Sequence, residues 1–465
     1  MRWTLTFVCM ATLACAEDWP RFRGPNGSGV SDATGLPTEF GPKQNLVWRV
    51  AVPMGRSSPI VVKDRIYLTA LEDNKLVTLA IDRQTGSSIW RREIIRDHLN
   101  KIFVGNDTAS PTSASDGENL YTFFPDLGLV SFDASGKERW RLRLGPFDNF
   151  YGIASSPVVS GNTVALICDQ LTGSFALAVD KDSGRERWRV QRKVATTEGF
   201  STPAIYAPER GKPQLIAMGA YRVDAYDLET GENVWWISKQ GVYPIGSPIL
   251  FGNMVIAVGY GGEKPDYPAF DALLQELDTN KDGKLSAEEW SKHALYKDHF
   301  GWVDTNNDGF ITRAEWDKRL TESVTEYGVT GSTIGGTGDR TESNLVWRYK
   351  KSFSQVITPL VYRDVLYLLK GGGIITTLNP KTGDILKTGR TKDAIDEYFA
   401  SPVAADGKVF LVSHSGKVTV LKADPQWEVL AVNDLDETSQ ATPAIADGRI
   451  YIRTHKALYS FGAPR

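Results

Sequence analysis

The chain has 465 residues, enough for one large repeat domain or two ordinary ones. With 53 Lys and Arg against 56 Asp and Glu the net charge is −3, which leaves no basic footprint for nucleic acid. Frequent Gly, Pro and Trp between short apolar runs favour β structure.

The N-terminus carries Arg2, an apolar stretch through Leu13 and then Ala14-Cys15-Ala16, followed at once by polar Glu17-Asp18. This is the pattern of a secretory signal cut after Ala16. A lipid anchor on Cys15 is the alternative, although Thr12 stands where a lipidation motif prefers an aliphatic residue. Both readings export the chain, to a secreted or periplasmic location. No later stretch approaches the roughly twenty apolar residues of a membrane span. Removal of residues 1–16 leaves Cys168 as the only cysteine, so no intramolecular disulfide is expected; within the apolar run Val164–Cys168 it reads as a core residue.

From Ser58 onward one unit recurs. It opens with Ser58-Pro59, Ser110-Pro111, Ser156-Pro157, Thr202-Pro203, Ser247-Pro248, Thr358-Pro359, Ser401-Pro402 or Thr442-Pro443, each leading into a β-rich run. A second run follows, such as Arg65–Leu71 or Val365–Leu369. The unit closes with a strand, a polar turn and a tryptophan strand, clearest in Ala80-x-Asp82-x-x-Thr85-Gly86-x-x-x-Trp90 and repeated at Ala178–Trp188 and Ala225–Trp235. Asp133-Ala134-Ser135-Gly136 before Trp140 is one residue shorter, and Asn379–Gly383 lacks the tryptophan. Four short antiparallel strands repeated about eight times predict an all-β, eight-bladed propeller. The last repeat, Thr442–Phe461, has too few strands, whereas Leu46-Val47-Trp48-Arg49 is a tryptophan strand without a blade; joining them closes the ring and removes both sheet edges.

The Ala-x-Asp-x-x-Thr-Gly-x-x-x-Trp element resembles the docking motif of quinoprotein-type propellers, and the resemblance runs roughly from Trp19 to Phe461. The opening Asp18-Trp19-Pro20-Arg21-Phe22-Arg23-Gly24-Pro25 is similar to the start of secreted bacterial members. The resemblance implies one of two branches: dehydrogenases that use pyrroloquinoline quinone (PQQ), or non-catalytic scaffolds such as the lipoprotein of the outer-membrane barrel-assembly machinery.

The fifth repeat is interrupted after Ser247–Leu250 and Met254–Gly259, and resumes near Tyr327–Gly335. The interruption holds two twelve-residue stretches, Asp278–Glu289 and Asp304–Glu315. Oxygen donors stand at positions 1, 3, 5, 9 and 12: Asp278, Asn280, Asp282, Ser286 and Glu289, then Asp304, Asn306, Asp308, Thr312 and Glu315. The carbonyls of Lys284 and Phe310 supply position 7, and Gly283 and Gly309 permit the sharp turn at position 6. A hard cation wanting six to eight oxygens fits this spacing, so two Ca²⁺ ions are expected. The segment from about Asp266 to Leu320 resembles an EF-hand pair. Phe270, Leu273, Leu274 and Leu277 give the entering helix an apolar face, Trp316 and Leu320 mark the exiting one, and Leu285 can bridge to Ile311. The short link Trp290–Val303 predicts a stiff module. The expected division is residues 17–262 and 323–465 for the propeller and 263–322 for the insertion.

In an antiparallel blade the loop before the first strand and the loop between the second and third share a face. The insertion should therefore stand beside the channel mouth. The segments preceding each Ser/Thr-Pro bring Arg56, Asp107, Tyr151, Glu198, Phe200, Tyr243, Gln355, Tyr398, Phe399 and Gln440 to that opening. Such a set suits a small polar ligand, a glycan or the tip of an envelope protein.

Catalysis has weaker support. The quinone branch often stacks its cofactor against a disulfide of adjacent cysteines, which Cys168 alone cannot form. His98, His293, His299, His414 and His455 are scattered, with no pair at metal-ligand spacing. There is neither a Gly-x-Ser-x-Gly elbow nor a phosphate-cradling glycine loop. The expectation is an exported, calcium-binding scaffold propeller, with a PQQ-dependent alcohol or sugar dehydrogenase as the alternative.

Overall fold

The inner strands of each repeat are apolar on both faces because each is packed between two neighbouring blades. Thr163–Cys168 and Met254–Gly259 are buried at every position. The fourth strands face outward, and in Glu186–Gln191 only Trp188 is buried. The computed structural model describes residues 18–463 apart from 101, 103–104, 193–198, 260–267, 294–299, 305, 307, 323–327, 352 and 355, and it leaves out the side chains at 302, 321 and 322. The expected signal segment, residues 1–16, lies outside the described residues, as do Glu198 and Gln355.

Seven four-stranded sheets and one five-stranded sheet form eight blades. Blade one is Ile60–Val62, Arg65–Glu72, Lys75–Asp82 and Ser88–Ile95, joined in sequence order. Blade eight takes three strands from the C-terminus and its outermost from Leu46–Ala51, which pairs antiparallel with Ala457–Gly462. The ring closes as expected, with no sheet edge left at the seam.

Tryptophans fasten successive blades. The indoles of Trp48, Trp90, Trp140, Trp188 and Trp347 each donate 2.9–3.1 Å to a backbone carbonyl in the turn of the next blade. Each ring also lies on that turn's glycine. A Cβ on Gly184 would come within 2.5 Å of Trp140, and one on Gly231 within 2.7 Å of Trp188. Two seams differ. Blade five lacks the Thr-Gly turn, so Trp235 donates instead to Gln214 of its own blade, and Gly338–Asp339 adds a short parallel strand beside Trp235-Trp236. Between blades six and seven the polarity reverses: Trp427 of blade seven covers Gly389 of blade six, and Lys387 lies 4.3 Å from its ring.

The aspartate of each docking turn organises it. Asp82 accepts the amides of Gln84 and Thr85 and the Thr85 hydroxyl, and Asp180 does the same for Asp182 and Ser183. These bonds hold both carboxyls below their ordinary pKa. Their stabilisation is complete above the unfolded aspartate value of about 3.9 and is lost as pH falls through the lower folded values. Tm is therefore expected to decline as pH drops below about 4. An Asp82→Asn/Asp180→Asn variant should start lower and decline less steeply; an equal slope in variant and wild type would remove these turns from the account.

The N-terminal segment after Asp18 crosses the channel, which the repeat pattern does not foresee. Trp19 pairs with Val61 of blade one, and the carbonyl of Pro20 accepts the amide of Ser115 in blade two. Asn26 exchanges hydrogen bonds with Ile205 of blade four, and Gly29 and Ser31 pair with Ala404 of blade seven. The segment thus covers the inward edges of several innermost strands and plugs the ring. Gly24 is required because a Cβ there would lie 2.5 Å from the fully buried Trp19, at φ 68°.

The insertion parts the second and third strands of blade five, Met254–Gly259 and Gly328–Thr333, whose last pair is Gly259 with Gly328. Ile249 pairs with Ile256, so this antiparallel register puts Gly259 and Gly328 at the end where the blade's first strand begins, the mouth face. The insertion holds helices α1 (Phe270–Leu277), α2 (Ala287–Trp290), α3 (Phe300–Val303) and α4 (Arg313–Glu322). They enclose a core of their own from Phe270, Leu273, Leu277, Leu285, Trp290, Val303, Ile311 and Trp316. Leu285 pairs with Ile311. The link Trp290–Val303 is split, with α2 ending at Trp290 and Gly301 lying within α3. No helix among the described residues is long and apolar enough to cross a membrane.

Candidate functional site: the channel mouth

The Ser/Thr at the head of each repeat forms a girdle around the channel. The backbone N–H of Ser58 donates to Thr112 Oγ1, Thr112 to Ser156, Ser156 to Thr202, Ser247 to Thr358, Thr358 to Ser401, Ser401 to Thr442, and Thr442 back to Ser58, all at 2.9–3.1 Å. The exception falls at blade five, where Ser247 Oγ is buried without a partner. This ring corrects the phase of the second repeat. Its head is Thr112-Ser113, two residues after the expected Ser110-Pro111, because Ala114 pairs with Tyr121 as Ile60 pairs with Tyr67. Ser110 instead bonds to Asn106.

Below the girdle the plug shuts the channel; above it a cavity of about 200 Å³ opens to the mouth. Phe22 of the plug lines it, together with the girdle, Arg56, Phe200, Phe399 and Gln440. Three expected mouth residues meet at its rim: Arg56 donates 2.6 Å to Gln440 and 2.9 Å to Asp107. Their blades are far apart in sequence but adjacent in the closed ring. Tyr151 touches Phe200 and Tyr243 edge-on, at centroid distances of 5.9 and 6.4 Å. Tyr398 departs from expectation. It is buried between blades six and seven with its hydroxyl on the Ala394 carbonyl, so it is a core residue rather than a mouth residue.

The histidines are less scattered than their spacing suggests. His414 and His455 stack edge-on with ring centroids 6.3 Å apart, and Phe399 lies 5.1 Å from His414. Both follow the second strand of consecutive blades, after Val412-Ser413 and Arg453-Thr454; aligning the repeats would have exposed the pair. Burial, then Arg56, His414 and Arg453, lower the His455 pKa and favour its neutral form. Beside blade four, Arg192 is fully buried with Asp169 at 2.6 Å and Asp224 at 3.9 Å. Burial opposes its charge, but Asp169, Tyr226 and Asp224 outweigh that and keep it cationic. Cys168, next to Asp169, is buried, and burial raises its thiol pKa.

In the insertion, the two acidic loops share one hydrogen-bond scheme. Asp278 accepts the amides of Asp282 and Gly283, and Asp304 those of Asp308 and Gly309. Asn280 and Asn306 accept the amides of Asp282 and Asp308, which in turn accept those of Lys284 and Phe310. Glu289 bonds to Ser286 and Thr279, and Glu315 to Thr312. The bond to the Ser286 amide, against the opposing effect of burial, holds the Glu289 pKa down at about 2. The donors are all oxygen, which fits a hard divalent cation. Among the described residues, no group of three or more His, Cys, Asp or Glu is placed to hold a metal ion, and Glu289 caps its own helix together with Ser286.

The family model described as outer membrane protein assembly factor BamB matches residues 42–175 and 172–461. An outer membrane protein assembly factor BamB of Burkholderia pseudomallei is 24% identical over 255 residues, covering 51% of this chain and 61% of that protein. One from Francisella salina is 25% identical over 117 residues, 25% of this chain and 20% of that protein. The chain thus spans less than two thirds of the curated relatives it matches. Among solved structures, BamB from Moraxella catarrhalis superposes with a TM-score of 0.55 at 13% identity, over 90% of this chain and 99% of that one. Quinohemoprotein alcohol dehydrogenase ADHIIG from Pseudomonas putida gives 0.50 at 12% identity, over 97% and 82%. At these identities the likeness is one of fold.

Proposed function

The chain belongs to the family described as outer membrane protein assembly factor BamB, and from that premise we propose that it is an exported, non-catalytic binding propeller. Its mouth face receives an envelope protein, a glycan or a small polar ligand, and its insertion is an EF-hand pair that takes up two Ca²⁺ ions. The observation that carries this reading is a shared face: the stems of the insertion, Gly259 and Gly328, leave on the side where Arg56, Asp107 and Gln440 meet. A Cβ on Gly259 would lie 2.3 Å from the Gly241 backbone, so the insertion starts against the loop that carries Tyr243. Calcium would be held by Asp278, Asn280, Asp282, the Lys284 carbonyl, Ser286 and Glu289, and by Asp304, Asn306, Asp308, the Phe310 carbonyl, Thr312 and Glu315. Its part is to stiffen these loops.

The competing reading, a PQQ-dependent dehydrogenase, is separated by turnover. The calcium-loaded protein, incubated with PQQ and offered alcohols or sugars with an artificial electron acceptor, is expected to reduce no acceptor. Sustained reduction would replace the scaffold reading. The scaffold reading itself is tested by a photo-crosslinking residue in place of Tyr243, which is 37% exposed. In cells it should give a discrete adduct that Arg56→Glu abolishes; an adduct pattern indifferent to Arg56→Glu would remove the mouth from partner binding.

A further inference from the structure

Each bonded girdle hydroxyl spends its acceptor side on a backbone N–H from the neighbouring blade. None of these hydroxyls has an acceptor for its own O–H among the described residues, and all of them line the cavity. The wall of the cup is therefore a ring of hydroxyls whose O–H groups face the cavity and can donate to a guest.

The charge beneath it has the same sense. Arg21, Arg23 and Arg453 are 5%, 0% and 1% exposed, and none has a carboxylate partner among the described residues. They bind backbone carbonyls instead, several of them on or beside the girdle: Arg23 to Thr358 and Pro402, Arg21 to Pro203, Arg453 to Ser57. Burial pulls Arg23 down to a pKa of about 9 and the other two to about 10, so all three are cationic at neutral pH. The nearby acids offset them only in part, Asp107 favouring the charge of Arg453. Asp107 is matched by Arg56, and Asp169 and Asp224 surround Arg192. Buried, uncompensated charge is costly, and a guest of opposite sign relieves it.

We infer that the cup above Phe22 binds a small multivalent oxyanion, its oxygens taken by girdle hydroxyls, with the buried cations Arg21, Arg23 and Arg453 lying behind its wall. A carboxylate-rich metabolite and an inorganic oxyanion share this chemistry. The inference rests on the proposed function only in treating the mouth as a binding face, and calcium plays no part in it.

The test is calorimetric titration of the mature protein in low-salt, phosphate-free buffer with succinate, with inorganic sulfate, and with sucrose as a neutral control. At least one anion should bind with one-to-one stoichiometry and a Kd below about 1 mM. The affinity should weaken with added salt, and sucrose should give no saturable heat. Succinate alone would point to a carboxylate ligand, sulfate alone to an inorganic oxyanion. Ala154 lies on the cavity wall outside the girdle. Ala154→Glu should lower anion affinity about tenfold or more by like-charge repulsion, and Ala154→Gln, of equal bulk, should not; both should keep the wild-type Tm. Absence of saturable binding by both anions, or equal weakening by Glu and Gln, overturns the inference. Loss of the Tyr243 crosslink with anion binding intact would instead count against the partner reading alone.

Discussion

Replacing Trp188 with alanine is expected to lower the free energy of unfolding by about 3–5 kcal/mol. Trp188 is 8% exposed, in the seam where blade three meets blade four. Its indole N–H donates to the Leu228 carbonyl at 3.0 Å, and its ring covers Gly231. Truncation opens a cavity that the flanking β-sheets cannot collapse to fill, and it strips the Leu228 carbonyl of its donor. Trp188→Phe restores most of the packing but not the bond, so its loss should be nearer the lower end of that range. Trp236 is the internal control. It stands one residue from the equivalent tryptophan of the next blade, half-buried, with Arg222 over its ring at 4.8 Å. Trp236→Ala should cost about 1 kcal/mol. Urea unfolding of the three variants decides the matter. Equal losses at Trp188 and Trp236 would mean that indole docking does not hold the seams.

Replacing Glu289 and Glu315 together by glutamine is expected to abolish calcium uptake while leaving the propeller's unfolding transition unchanged. Each glutamate stands at position 12 of its loop, where a calcium-binding loop places a bidentate carboxylate. Glutamine keeps the shape and removes the charge. In the wild-type protein, free calcium at 100 times its Kd should stabilise the insertion by about 2.7 kcal/mol. That gain belongs to the insertion because its core shares no residue with the blade clusters. Trp290 and Trp316, in contact at 5.7 Å inside that core, should report the ordering by fluorescence. Global unfolding of the double variant would make the insertion part of the propeller's core. A wild-type protein that takes up no calcium would reduce both loops to acidic turns.

Much of the architecture was legible because it is written in local patterns. The strand repeat, the Ala-x-Asp-x-x-Thr-Gly-x-x-x-Trp turn and the orphan Trp48 strand each specify a hairpin or an edge by nearby residues, and the eight blades and their closure follow. The break between the second and third strands of blade five followed too, since strand direction alone sets which face a loop leaves from. The mouth was legible in part. Arg56, Asp107 and Gln440, expected at one opening, are hydrogen-bonded to one another through Arg56, whereas Tyr398 turns into the core, because an aromatic residue before a strand can turn either way and only packing decides.

By itself, then, the sequence determined the blade count, the tryptophan seams, the ring closure and the point of interruption. Each depends on pairing between strands that are consecutive or on a repeated short motif. The tertiary structure alone decided the phase of the second repeat at Thr112, the hydroxyl girdle and the plug with its buried Arg23. These arise where different blades or the N-terminal segment converge on one axis. Contacts such as Arg23 with Thr358 join residues more than three hundred positions apart, and no local pattern encodes a partner at that separation; closure of the ring brings them together.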